Sequence, residues 1–435
     1  MQAVAHPSNE GRGPSQHMLD VLVIGAGLAG LTAGWQAAAG GQRVRVIARG
    51  WGATHWHAGC IDVLGYHPSD SQRPLESPRE GVAQLMRDNP RHPYALVGAE
   101  SLDRALRAFQ ALCAEAGYPM HGSLERNWLL PSAVGAVRPT CLAPETMIAG
   151  DLRRRDAMLM VGFQPFLDFF PALVADNLSA QGFLARDVTL DLPKPEQRRL
   201  VAGRATNLAR LFETADFRAQ VAEALKPHLG EAARVGFPAV LGIVDAPAVQ
   251  RDMQERLGCE VFEIPVLPPS VPGMRLHGIL TAAIERAGGR VFEGMEAVGV
   301  EIAEGRVSAV WTEAAARRKA QRAARYVLAT GGILGNGIVG DHEGKLREVV
   351  FGLPLAAVPA REDWFAAEFL APGGHPIYRA GVDVNTHLQP VDAAQHVLYE
   401  NLRAAGSTLA HNDTLRERSF EGVALATGFV AGQQS

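Results

Sequence analysis

Glycines stand at 25, 27 and 30 in the run Gly25-Ala26-Gly27-Leu28-Ala29-Gly30. This Gly-x-Gly-x-x-Gly spacing is the kind that cradles a nucleotide phosphate. Each glycine has a separate task. Gly25 permits the tight turn, Gly27 lets backbone approach the phosphate, and Gly30 lets the following helix pack against the strand. The phosphate would sit on free N–H groups at a helix N-terminus, where the helix dipole favours negative charge. A second polar segment, Arg49 to Gly65, is rich in glycine and carries His55 and His57. It reads as a loop threading close to a ligand, and Arg49 is placed to pair with a phosphate.

These residues need elements to hold them. The apolar run Val21 to Ile24 predicts a strand, Leu28 to Ala39 a helix, and Val44 to Ala48 a second strand. Strand, turn, helix, strand is the context a dinucleotide-type site requires. Leu102, Ala105, Leu106, Phe109, Leu112 and Cys113 recur at helical spacing within 81–116 and mark one buried face. Residues 157–163 read as a strand, 164–178 as a helix, and 234–244 as a buried strand or loop. Four prolines in 264–273 exclude helix there, and a helix is expected over 274–287. Beyond Gly288 a strand, a hairpin around Glu304-Gly305, a strand ending in Thr330-Gly331-Gly332, and a final segment 401–407 are expected. The simplest architecture is α/β. A discontinuous Rossmann-like domain over 18–75 and 288–435 carries an inserted α+β middle domain over 76–287, and 1–17 forms a flexible tail.

The chain has 435 residues, 47% hydrophobic and 20% charged, with a net charge of −4. That charge gives no nucleic-acid surface. The 14 histidines show no metal-binding spacing. The four cysteines (Cys60, Cys113, Cys141, Cys259) are widely spaced, which argues against an iron–sulfur or structural zinc site and fits a reduced, cytosolic setting. No apolar stretch is long enough to span a membrane.

Several segments together resemble a known family. The glycine elbow, a later Gly-Gly-x-Val-x-x-Gly at 288–294, Ala329-Thr330-Gly331-Gly332 and Asn401-Leu-x-Ala-x-Gly406 are similar to the two-dinucleotide-domain flavoproteins. Finer segments resemble the B subunit of the anaerobic glycerol-3-phosphate dehydrogenase. They are 54–64, 92–98, 204–210, 268–276 and Gly406-Ser407. The resemblance implies a heteromeric enzyme that oxidises sn-glycerol 3-phosphate to dihydroxyacetone phosphate and passes electrons to the quinone pool under anaerobic growth. It implies FMN in this chain and two further subunits. One is catalytic and contains FAD. The other is an iron–sulfur protein that attaches the complex peripherally to the inner membrane from the cytoplasm.

Two departures bear on the cofactor. FAD enzymes usually end the second strand on an acid that holds the adenosine ribose, and here Ala48 and Arg49 follow. The late Gly-Asp of FAD enzymes is Gly406-Ser407 here, a weaker hydrogen-bonding pair. Both changes favour FMN, with FAD as the alternative. Oxidising a secondary alcohol needs a base, and His55 is the best-placed histidine on a family-like stretch. Arg275 and Arg210 are candidates for clamping a substrate phosphate. Three functions remain open: the flavoprotein subunit, a non-catalytic assembly subunit with a vestigial flavin site, and a stand-alone FAD oxidoreductase.

Overall fold

The strand Leu19–Ile24 (β1) carries Val21, Leu22 and Val23 with no exposed surface. Burial on both faces is what a continuous apolar run in a parallel sheet requires. The computed structural model describes residues 18–70, 73–192, 204–315 and 317–434. The expected tail over 1–17 lies outside the described residues.

From β1 the chain enters helix Leu28–Ala39 (α1) and returns as Val44–Ala48 (β2). Three helices follow, Pro78–Asp88 (α2), Pro93–Val97 (α3) and Ala99–Glu115 (α4). The strands Trp128–Pro131 (β3) and Val137–Thr140 (β4) pair as an antiparallel ribbon. Next come Met158–Gln164 (β5), Pro171–Ala180 (α5) and Ala185–Asp191 (β6). Ala205–Phe212 (α6), Ala215–Leu225 (α7), Arg234–Pro238 (β7), Ala246–Leu257 (α8) and Glu260–Ile264 (β8) complete this stretch. Helix Val271–Arg286 (α9) leads back to Arg290–Glu293 (β9). The strands Glu296–Ala303 (β10), Arg306–Ala314 (β11) and Arg317–Gln321 (β12) form an antiparallel sheet. Ala323–Leu328 (β13), Leu402–Ala404 (β14) and helix Phe420–Gly432 (α10) close the fold.

The main sheet is parallel, in the order β9-β2-β1-β13-β14. Val21 lies beside Val44 on one side and Arg325 on the other. A second parallel sheet, in the order β8-β7-β5-β6, has its own apolar core within residues 152–271. Helices α2 to α4 and α9 lie inside the expected insertion 76–287, yet their apolar faces pack into the first core. The helix expected over 274–287 begins three residues earlier. Ser270 accepts the N–H of Gly273 at 3.0 Å, and Pro272 fits the first turn, where its missing N–H costs nothing.

Helix α1 is buried nearly all round because neighbours cover it on every side. A Cβ on Gly428 or Gly432 of α10 would lie 2.4 Å from the carbonyl oxygen of Ala29 or Ala33 on α1. The two helices therefore touch backbone to backbone, which only residues without a side chain allow. No described helix is long and apolar enough to cross a membrane. Cys60, Cys113 and Cys141 are buried and Cys259 is partly so, all as free thiols.

Candidate functional site

At the C-terminal end of β1 the backbone turns at Gly25, whose φ of +117° disfavours any side chain. A Cβ there would sit 2.1 Å from the carbonyl oxygen of Ala329, so the turn is pressed onto the end of β13. The Gly25 N–H donates to the Ile47 carbonyl at 2.8 Å, which ties it to β2 as well. A Cβ on Gly30 would lie 1.9 Å from the Gly25 carbonyl oxygen. Gly27 differs: nothing lies within 4 Å of where its Cβ would be. It is the N-cap of α1, with no side-chain cap and no acid in the first turn. The first-turn N–H groups thus face open space with the positive end of the helix dipole behind them.

That space is a cavity of about 300 Å³. Gly25, Ala26, Gly27, Leu28, Ala29, Arg49, His55, Gly406 and Ser407 all line it. Gly30 lies beneath it and supports the elbow. On one side of the elbow the lining continues through Ala48, Arg49, Met295, Glu296 and Ala297. On the other it runs through Thr330, Gly331, Phe420 and Ala424. Four buried polar atoms on lining side chains lack a protein partner: Thr54 Oγ1, His55 Nδ1, His57 Nε2 and Thr330 Oγ1. Free donors, an open glycine and orphaned polar atoms fit a phosphate-bearing polar ligand.

The edge at Ser407 is held by hydrogen bonds. Ser407 Oγ accepts the Gly332 N–H at 3.1 Å, and Gly406 N–H donates to Thr427 Oγ1 at 2.8 Å. The serine therefore staples the two glycine turns together. A carboxylate from elsewhere in the chain stands near the end of β2. Glu296, at the start of β10, lines the cavity 3.8 Å from Arg49. The expectation of FMN came from the family resemblance and was favoured by two departures, the missing acid and Ser407; Glu296 bears on the first of these alone.

His55 ends a short 3-10 turn, Gly52–His55. The start of α9 positions it: the Ser270 N–H donates to the His55 carbonyl at 2.7 Å, and Gly273 presses on Thr54. His57 accepts the Gly59 N–H on Nδ1 at 2.9 Å. Neutral imidazole with an acceptor at Nδ1 carries its proton on Nε2, so His57 is a donor. Dense burial, then Arg138 and His55, pushes its pKa down to about 3. His55 Nδ1, by contrast, has no hydrogen-bond partner within the protein.

The two arginines expected to grip a phosphate lie elsewhere. Arg275 has a side chain 3% exposed, and all five of its donors are engaged. They go to Glu263 (2.7 and 2.9 Å), the Gly242 carbonyl (3.0 and 2.5 Å) and the Tyr118 hydroxyl (3.3 Å). It locks α9 to β8 and has no donor left for a ligand. Arg210 is exposed on α6, donates to Asn207, and does not line the cavity.

Sequence reasoning missed a buried ionic group beside the site. Arg138 on β4 pairs with Asp62 at 2.6 Å, and Glu421 on α10, 6% exposed, completes it. Burial first, then the Asp62 charge, pushes the Glu421 carboxyl up to about 8. The Arg138 charge acts on His57, a lining residue, so the group stands close to the cavity. It also missed Trp51, stacked on His277 at 4.8 Å and donating to Glu293. No local spacing announces either set.

Fold and cavity define a nucleotide-binding oxidoreductase of the flavoprotein class, and the family described as FAD binding domain matches residues 20–418. The probable B subunit of the anaerobic glycerol-3-phosphate dehydrogenase of Halobacterium salinarum is 35% identical over 425 residues, covering 95% of this chain and 96% of that protein. The B subunit of the anaerobic glycerol-3-phosphate dehydrogenase of Pectobacterium carotovorum is 32% identical, covering 95% and 98%. The chain belongs to this B-subunit family of FAD-binding-domain proteins. Among solved structures, a flavocytochrome c3 fumarate reductase aligns with a TM-score of 0.46 and 11% identity over 97% of this chain and 78% of that one. A 3-ketosteroid delta1-dehydrogenase from Sterolibacterium denitrificans aligns with a TM-score of 0.43 and 11% identity over 96% and 99%.

Proposed function

We propose that this chain is the flavoprotein subunit of an anaerobic sn-glycerol 3-phosphate:quinone oxidoreductase and that its flavin is FAD. The name of the relatives supports the substrate. The observation that carries the cofactor is the cavity's extent on both sides of the elbow. The side at Arg49 and Glu296 has room and an acid for a ribose, the side at Ser407 and Phe420 takes the flavin ring, and α1 holds the phosphates between them. FMN would leave the Glu296 side without a use.

Bound flavin supplies a two-electron acceptor. The protein's part is to place the substrate's secondary hydroxyl against His55 Nδ1, which takes the hydroxyl proton. The donor Nε2 of His57 orients the oxygen, and the apolar lining excludes water. The partners in this reading are a second flavoprotein that contains FAD and an iron–sulfur protein that brings the complex to the membrane.

A second reading has its own support. Arg49 is the one arginine among the described lining residues, and it faces Glu296. With no bidentate clamp for a substrate phosphate, this chain would relay electrons while the second flavoprotein oxidises the substrate.

The test is purification with the sister subunits, release of the flavin, and its identification by mass, with FAD expected and FMN refuting the cofactor assignment. In the same complex, His55→Ala is expected to keep its flavin and lose about a hundredfold in turnover with glycerol 3-phosphate. Unchanged turnover would move the chemistry to the second flavoprotein.

A further inference from the structure

Two carboxylates, Asp62 and Glu421, are buried around one guanidinium, Arg138. The alcohol oxidation above uses none of them. The packing that gathers them is tight. The Gly422 N–H donates to the Asp62 carbonyl at 2.9 Å. A Cβ on Gly422 would lie 2.7 Å from Val63 Cα and 2.3 Å from the Tyr94 hydroxyl. The first turn of α10 is thus pressed onto residues 62–63, and the Glu421 carboxyl faces the Asp62 N–H. Arg138, from β4, donates to Asp62 Oδ2 at 2.6 Å, while the buried Asp62 Oδ1 has no protein partner.

One positive charge stands there for two acids. In an interior of low polarity an unmatched carboxylate is costly, so one of the pair keeps a proton. Glu421 keeps it: burial, then the Asp62 charge, raises its pKa to about 8 against the pull of Arg138. Other charges are distant or already matched. Cys60 and Tyr94 stand nearby as neutral side chains. Glu417, just before α10, is paired with His92 at 3.2 Å. Helix α1 carries no charged side chain. On α4, Asp103 is held by Arg107 at 2.7 Å and the other charges are exposed. Arg325 and Arg403 bond carbonyls at the opposite end of α10.

The group is electrically tied to the cavity. The Arg138 charge acts on His57, and α10 itself presents Phe420 and Ala424 to the same space. Two electrons arriving on a cofactor there bring negative charge, which tightens the hold of a neighbouring acid on its proton. Their departure loosens it.

We infer that Glu421, held by Asp62 and Arg138, is the group through which the protein exchanges a proton with water as the cofactor in the cavity is reduced and reoxidised. Ionised Glu421 takes one proton from water when two electrons enter from the substrate alcohol. It returns that proton when the electrons leave for the redox group of a sister subunit. Glu421 touches no reacting atom in this scheme and acts through its charge. The inference rests on the flavin reading above.

The test is potentiometry of the full chain loaded with its flavin, with dithionite as reductant, from about pH 6 to about pH 10. Below about pH 8, Glu421 is protonated in both redox states, and wild type and Glu421→Gln should share one slope. Above it, the wild-type midpoint should fall more steeply by up to one proton per two electrons, a tenfold change per pH unit or about 30 mV. Glu421→Gln cannot ionise and should lack the steeper section. In Asp62→Asn the guanidinium has Glu421 as its one acid, so the steeper section should begin at lower pH. A purely structural role for the group would move none of these slopes. Redox-difference infrared spectra check the point without a variant, since reduction at about pH 9 should add one protonated-carboxyl band to the wild-type spectrum. Equal slopes in wild type and Glu421→Gln, an unmoved break in Asp62→Asn, or no such band overturns the inference alone. A wild-type chain that retains no flavin sinks the flavin reading itself, which is a separate result.

Discussion

At the scale of single residues, glycines 27 and 30 separate binding from folding. Gly27 has ordinary extended backbone (φ −75°, ψ 178°) and open space at its Cβ position. Gly27→Ala should therefore leave stability within about 1 kcal/mol while weakening flavin retention. Gly30→Ala drives a methyl into the Gly25 carbonyl and should cost about 1–3 kcal/mol in a denaturant titration. Equal stability losses would refute this division of roles. Glu421 gives a pH effect. Its folded pKa, about 8, stands above the ordinary 4.5. The folded state therefore holds the proton more tightly, so this contribution is complete at acid pH and is lost as pH rises from about 4.5 to 8. Asp62 and Arg138 face this carboxyl, with the Cys60 and Tyr94 side chains nearby. Glu421→Gln should flatten the decline, read as a urea midpoint at several pH values. Local spacing was enough to put the elbow at the cavity, while Arg49, His55 and Ser407, which line it too, were singled out by comparison with the family pattern. The arginines misled, because residue type cannot say whether a guanidinium faces a cavity or a carboxylate. Glu263 lies twelve residues before Arg275 and consumes two of its donors.

At the scale of elements, the α1–α10 contact sets the shape of the site. The Ala29 carbonyl receives Gly428, and the Ala29 methyl receives the Gly406 turn. Gly428→Val should push α10 off α1, lower stability by about 1–3 kcal/mol, and loosen flavin binding by shifting the Gly406-Ser407 edge. Gly278→Ala on α9 is the control, since nothing lies within 4 Å of its Cβ position. Calorimetry of both variants decides the matter. Periodicity located most elements, and the start of α9 shows where it falls short. Prolines at 268–272 argued against helix, but a proline in the first turn suits one. Strands β1, β2 and β5 were readable because they are nearly continuous buried apolar runs, whereas β6, with most of its side chains at least partly exposed, was not.

For the whole molecule, an apolar stripe declares that a helix is covered without saying by which sheet. Helices α2 to α4 precede the second core in sequence and join the first. That choice depends on contacts between distant segments, such as Asn127 donating to the Leu64 carbonyl, which no window of sequence contains. The expected order of the nucleotide-binding halves was visible because glycine turns bracket it at both ends. The buried cysteines have a consequence of their own. Burial pushes the Cys60 thiol up to about 11 and Cys113 up to about 12, and raises Cys141 further. Reduced flavin that meets oxygen releases peroxide, and it is the thiolate form of cysteine that attacks peroxide. Burial raises all four thiols, Cys259 included, and so favours the protonated form that peroxide leaves alone; a stray encounter with air need not poison these cysteines.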